Sequence, residues 1–171
     1  IADICTCTGA YCTFSIMTLP TSSDPHDLWE PDGWLRDVYV LNTTFDDWAV
    51  LLTLAVKHSY QYSHDGKDQA LPGPKTIFSG HDRARELSVK VGGVTINCHF
   101  FVPEEIELDI DPREVLSDTH HYEVLRFLEA LSIGTRKRLS VTAENRPETP
   151  YLSYEPMAKE WTIYQPPVQY K

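Results

Sequence analysis

The chain has 171 residues and a formal net charge of −10, with 15 Lys and Arg against 25 Asp and Glu. Apolar residues make up 42% and charged residues 23%, the balance of one globular domain with its own core, which excludes wholesale disorder, collagen-like sequence and a disulfide scaffold. The acidity disfavours a nucleic-acid partner, which needs a basic face. No uncharged apolar run approaches the ~20 residues that cross a bilayer, which predicts no membrane partner.

Residues 1–17 read as a leader or N-terminal arm, and 18–171 as a single α+β domain. Position 1 is Ile, and Met17 opens an ordinary polar start. Cys5, Cys7 and Cys12 lie in this segment. Their spacing could ligate a soft metal with Cys98 or His26, but it matches no standard zinc knuckle, and leader sequence is the preferred reading. Outside it Cys98 is the one cysteine, which suggests a reducing compartment and a cytoplasmic protein.

In chain order, residues 18–34 read as an entry loop rich in Pro, Ser and Asp, and 36–41 (RDVYVL) as a buried strand. Thr44 is a natural N-cap with Asp47 in the capping-box position. Phe45, Trp48, Leu51, Leu52, Ala55 and Val56 then follow helical spacing. Residues 59–63 alternate as a strand, 64–73 are a polar loop, and 74–80 a short helical turn. Residues 87–91 and 94–100 alternate strictly about Gly92-Gly93, a hairpin turn of the positive-φ kind. After Pro103, Ile106, Leu108 and Ile110 alternate with acids, completing an antiparallel meander with one apolar face.

A second helix starts at Ser117 or Asp118, buries Val124, Phe127, Leu128 and Leu131, and ends with Gly134 as its expected C-cap. The cluster Arg136, Lys137, Arg138 complements the helix dipole there. Residues 139–143 are a further strand. From about 144 the chain reads as a Pro- and aromatic-rich tail, with 141–156 a fixed surface loop tipped by Glu144, Asn145 and Arg146. The expected fold is therefore α+β. A largely antiparallel sheet (β-α-β, a three-stranded meander, α, β) carries two helices on one face and is loosely ferredoxin-like.

The meander fixes a register. Gly92-Gly93 pairs Val91 with Val94 and Glu86 with His99. Keeping Ile106 on the apolar face demands a three-residue turn, which pairs Phe101 with Glu105, His99 with Glu107 and Asn97 with Asp109. His99 is thus placed between Glu86 and Glu107, with Asn97 and Asp109 adjacent. Such a histidine has a raised pKa and could act as a general acid or base, or bind metal together with Glu107. A solvated sheet face with an ordinary ion pair is the default expectation.

Other motifs carry less. The acids of 104–111 alternate along a strand and lack the spacing of a calcium loop. His120-His121 reads as a surface cap region. His64-Asp65 and His81-Asp82 lie in loops. There is no nucleophile elbow, P-loop, dinucleotide fingerprint or zinc-helix motif. Trp29, Trp34, Tyr151, Tyr154 and Trp161, in segments read as irregular, are candidate binding aromatics for an interface or an organic-cation pocket.

No diagnostic family motif is present. Immunity-type proteins that neutralise cationic toxins share this acidity and size, a likeness of composition alone. The expected function is a non-enzymatic, acidic, bacterial-type accessory or immunity-like protein acting through protein–protein contact, with a protein partner or itself as a homodimer, and no cofactor. The first alternative is an acid–base or metal-assisted enzyme centred on His99, Glu86 and Glu107. The second is a sensor of cationic small ligands with an aromatic pocket.

Overall fold

The computed structural model describes residues 5–8, 11–25, 27–79 and 84–165, with side chains from residue 16 onward. The fold is α+β. Its strands are β1 (Cys5–Thr8), β2 (Tyr11–Ile16), β3 (Arg36–Leu41), β4 (Ser59–His64), β5 (Lys67–Asp68), β6 (Arg85–Val91), β7 (Val94–His99), β8 (Glu105–Ile110), β9 (Leu139–Ala143), β10 (Arg146–Glu155) and β11 (Glu160–Gln165). The helices are α1 (Phe45–Ala55), α2 (Pro74–Ile77) and α3 (Asp118–Thr135), with a 3-10 turn at Pro112–Glu114.

The strands form one sheet in the order β1-β2-β11-β10-β9-β3-β8-β7-β6-β4-β5. Each described ladder is antiparallel. It follows that β3 and β4 run the same way with the whole meander between them, joined by α1. Likewise β8 and β9 run the same way with β3 between them, joined by α3. Two helical crossovers therefore wrap a sheet whose neighbours are antiparallel.

Local chemistry accounts for the helices. Thr44 accepts from the Asp47 amide while the Asp47 carboxylate accepts from the Thr44 amide, the reciprocal cap that the spacing predicts. Trp48, Leu51, Leu52 and Ala55 of α1 and Val124, Phe127, Leu128 and Leu131 of α3 are buried in one apolar cluster with the strands. Gly134 is not the C-cap of α3. Arg136 takes that place with φ 57°. Gly134 lies inside the helix because α1 passes close by, and a Cβ there would come within 2.6 Å of Val50 Cγ1.

The meander register is the expected one, with Val91↔Val94, Glu86↔His99, His99↔Glu107 and Asn97↔Asp109. Gly92 (φ 57°) and Gly93 (φ 101°) make the hairpin turn. Pairing stops one step early. β7 ends at His99, so Phe101 is a turn residue rather than the partner of Glu105.

The sheet is larger than the sequence suggests. The segment read as a loop and tail beyond 144 forms β10 and β11 instead. Prolines disguise β10, yet Pro150 sits where the β9–β10 register shifts, a bulge position that needs no ladder N–H. Residues of the expected arm pair as β1 and β2, and β2 lies against β11. The side chains of Cys5, Cys7 and Cys12, and His26, His81, Asp82, Pro166 and Pro167, lie outside what the structure describes. No described helix is long and apolar enough to cross a membrane.

Candidate functional site

Alternation along the strands sends Val38, Val40, Leu87, Val89, Ile96, Cys98, Ile106 and Leu108 into the core. The intervening residues make a polar face. Cross-strand pairing lines them up in two rows. One runs Glu86, His99, Glu107, Tyr39, Ser140, Ser153, and the other Ser88, Asn97, Asp109, Asp37, Thr142. The sequence reading placed His99, Asn97, Glu86, Glu107 and Asp109 together, and the structure does bring them together. The expected buried strand over 36–41 is present, with Arg36 to Val40 all buried, but that expectation does not single out Asp37 and Tyr39, although Asp-Val-Tyr-Val already alternates.

The second row is hydrogen bonded from Ser88 through Asn97 to Asp109. Ser88 Oγ donates to Asn97 Oδ1 at 2.9 Å, and Asn97 Nδ2 donates to Asp109 Oδ1 at 2.9 Å. The other oxygen, Asp109 Oδ2, lies 2.5 Å from His99 Nε2. His99 is therefore bonded to its diagonal neighbour, not to the residues directly opposite. That bond to Asp109 holds the imidazole pKa above its ordinary value against the opposing effect of burial. The charges of Asp109, Glu86 and Glu107 add to the rise.

Next to this lies a phenol. Tyr39 Oη donates to Asp37 Oδ2 at 3.1 Å and approaches Glu107 Oε1 at 3.5 Å. Asp37 also accepts from the Asn145 amide at 2.7 Å. Burial pushes the Asp37 carboxyl up, opposed by these two donors, and the Glu144 and Asp109 charges push it further. Burial also raises Glu107, helped by Asp37 and Glu105. Burial beside these carboxylates raises Tyr39 well above an ordinary phenol.

At one end of the face the β7–β8 turn presents Phe101, 65% exposed, with Val102 and Leu41 also exposed. The Phe101 ring stacks on His99 with centroids 5.3 Å apart and planes 12° from parallel. From the other side the turn is fixed by α1 and the residue before its cap. Trp48 Nε1 and Thr43 Oγ1 both donate to the Pro103 carbonyl at 2.8 Å. Alternation alone carries the β pairing one step past His99 and so does not mark Phe101 as a turn residue. An aromatic beside Pro103 in a turn was the signal available.

The aromatic candidates separate. Tyr154 and Trp161 are core residues, 1% exposed, with ring centroids 5.0 Å apart, so neither offers a contact surface. They sit on the inward face of β10 and β11, strands the sequence reading did not see. Burial, with help from Glu129, pushes the Tyr154 hydroxyl up to about 12. Trp29 donates from Nε1 to His121 Nδ1 at 2.8 Å. His121, read as a surface residue, is instead fully buried, and its Nε2 donates to the Pro20 carbonyl at 2.8 Å. Trp34, 62% exposed, and Tyr151 line a cleft of about 270 Å³ with Asp32, Arg36, Glu144 and Arg146.

Arg36 occupies the floor of that cleft and organises the entry loop. It donates to the carbonyls of Asp27, Leu28, Glu30, Trp34 and Leu35 and to the Asp32 carboxylate, while its guanidinium lies 5.1 Å from the Tyr151 ring centroid. A second cleft, of about 360 Å³, lies where β3 and β9 meet the connection from α3, and a third, of about 340 Å³, between α1 and the segment before α2. His99 lines none of these three. Among the described residues no three His, Cys, Asp or Glu side chains group as a metal site.

No family model, curated protein or solved structure matches this chain.

Proposed function

We propose that this chain is a non-catalytic binding protein that engages a basic, arginine-containing segment of another protein through the polar face of its sheet, at the Phe101 end. The observation that supports this most directly is the Phe101–His99 stack. It is an exposed aromatic ring held by an imidazole that Asp109 holds in turn, on a turn fixed to α1. Rigid exposed aromatics make binding hot spots because little entropy is lost when they are covered. Register places Glu86, Glu105 and Glu107 around the same strand ends, and the chain as a whole carries −10. A guanidinium stacking on Phe101 and pairing with these carboxylates satisfies both features. Self-association through this face would bring carboxylates against carboxylates across a two-fold axis, so a partner of opposite charge fits better than a second copy.

A soluble Arg- and Trp-containing peptide, titrated into the isotope-labelled chain, tests this reading. Saturable amide shifts centred on residues 99–107 and 41 are expected, with Phe101→Ala and Glu107→Lys each weakening affinity at least tenfold, about 1.4 kcal/mol. Shifts scattered over the whole acidic surface and indifferent to both substitutions would overturn it.

The acid–base enzyme reading retains one supporting feature, a carboxylate-held imidazole beside a neutral phenol. None of the three clefts described above is lined by His99.

A further inference from the structure

We propose that the cleft between β3, β9 and the α3–β9 connection binds a small ligand through an oxyanion group, a carboxylate or a phosphate, with Arg138 as the charged donor. The cleft has a volume of about 360 Å³ and is lined by Tyr39, Asn42, Lys137, Arg138, Ser140 and Pro147, among others. That volume falls in the range of small-molecule sites. On a chain of net charge −10, two of the few cations converge on one concave surface.

The setting of Arg138 carries the inference. Its Nη2 donates to Ser153 Oγ at 3.0 Å and to Tyr164 Oη at 2.5 Å. Both partners are neutral hydroxyls. They fix the guanidinium without cancelling its charge, and among the described residues no carboxylate lies within ion-pair distance of it. Nε and Nη1 make no hydrogen bond there, so each remains a charged donor for a single ligand oxygen, while both Nη2 hydrogens are used by the two hydroxyls.

The surroundings are preorganised. Arg136, left-handed at φ 57°, caps α3, and the Lys137 amide donates to the Ser132 carbonyl, so the backbone that carries Lys137 and Arg138 is fixed. Among the described residues Lys137 pairs with Asp47 at a long 3.8 Å. Ser140 lines the same cleft, on the polar row between Tyr39 and Ser153. Tyr39 forms the wall toward the acidic end of the sheet. Its hydroxyl is turned to Asp37 and Glu107, so the ring stands between those carboxylates and the cations. Preorganised donors lower the cost of ordering a ligand.

This site adjoins the Phe101 end of the face at Leu41, but its charged donor is Arg138 rather than the Phe101 ring, so Phe101→Ala and Arg138→Met test the two readings independently. The test is an amide NMR titration of the whole chain with inorganic phosphate and, separately, with citrate, each against sodium chloride at matched ionic strength. Saturable shifts at Asn42, residues 137–139 and Ser140 are expected with at least one of the two anions and not with chloride. Response to phosphate alone or to citrate alone identifies the oxyanion. Arg138→Met is expected to weaken the apparent Kd at least tenfold, and Ser140→Trp, which fills the cleft and leaves the guanidinium in place, to do the same. Non-saturating shifts equal to those of chloride, or affinity unchanged in Ser140→Trp, would overturn the proposal. If Arg138→Met loses its dispersed spectrum, Ser140→Trp decides alone. Phe101→Ala serves as the control expected to bind the anion like the wild type.

Discussion

The Asp109 carboxylate lies 2.5 Å from His99 Nε2, although the residue directly opposite His99 on β8 is Glu107. The twist of a β-pair brings one diagonal neighbour closer than the flat ladder implies. Asp109 is also held by Asn97, and Asn97 by Ser88, so its carboxylate is aimed before it meets the imidazole. Glu107 turns toward Tyr39 instead.

This division of labour orders the effects of three substitutions on the His99 pKa, read by NMR. Asp109→Asn is expected to lower it most, because it removes both the hydrogen bond and a charge. Glu86→Gln and Glu107→Gln remove a charge each and are expected to lower it less. Folding raises this pKa, so the stability it contributes is present below the unfolded value near ~6.5 and fades as pH rises through the folded one. A Glu107 variant with the largest effect would contradict the diagonal bond.

His121 has the opposite sign. Burial lowers its pKa, against the Pro20 carbonyl and the Asp118 charge, and its Nδ1 must stay unprotonated to accept from Trp29. Its contribution is complete above ~6.5 and is lost as pH falls through the lowered folded value. Thermal midpoints of wild type and His121→Gln should converge between pH 7 and pH 5, as only the wild type loses this term. A difference that stays constant over that range would show that the Trp29–His121–Pro20 clasp does not hold the entry segment on α3.

Arg36 is expected to tolerate no replacement, including Lys. Six acceptor groups surround its planar fork, and an ammonium has three donors and one centre. Arg36→Lys should cost about 3 kcal/mol, a fall in Tm of about 6–12 °C for a chain of this size. Calorimetry showing a fall of under 2 °C would mean that the 27–35 loop does not depend on this side chain.

A glycine inside a helix is ordinarily improved by alanine, by about 1 kcal/mol. At Gly134 the sign should reverse, because the new methyl meets Val50 Cγ1. Gly134→Ala alone is expected to destabilise by about 1–2 kcal/mol, and the same change in a Val50→Ala background to stabilise relative to that background. Chemical denaturation of the four proteins reads this cycle directly.

Whatever rests on nearest neighbours and short periods is legible in the chain itself. Strict alternation about Gly92-Gly93 and the need to keep one face apolar fixed the meander register to the residue, and with it the meeting of Glu86, His99 and Glu107. The Thr44–Asp47 capping box and the apolar stripes of both long helices were likewise legible, because each is a local rule. The tertiary structure decided the rest. β10 was hidden because prolines at a bulge look the same as prolines in a loop until the partner strand is known. Tyr154 and Trp161 are core residues only once β10 and β11 exist. The choice of Asp109 over Glu107 depends on sheet twist, and the burial of His121 on a segment about 100 residues away in the chain. The cleft around Arg138 needs β3, β9, β10 and β11 side by side, an adjacency set by long-range strand order, which no short window of sequence encodes.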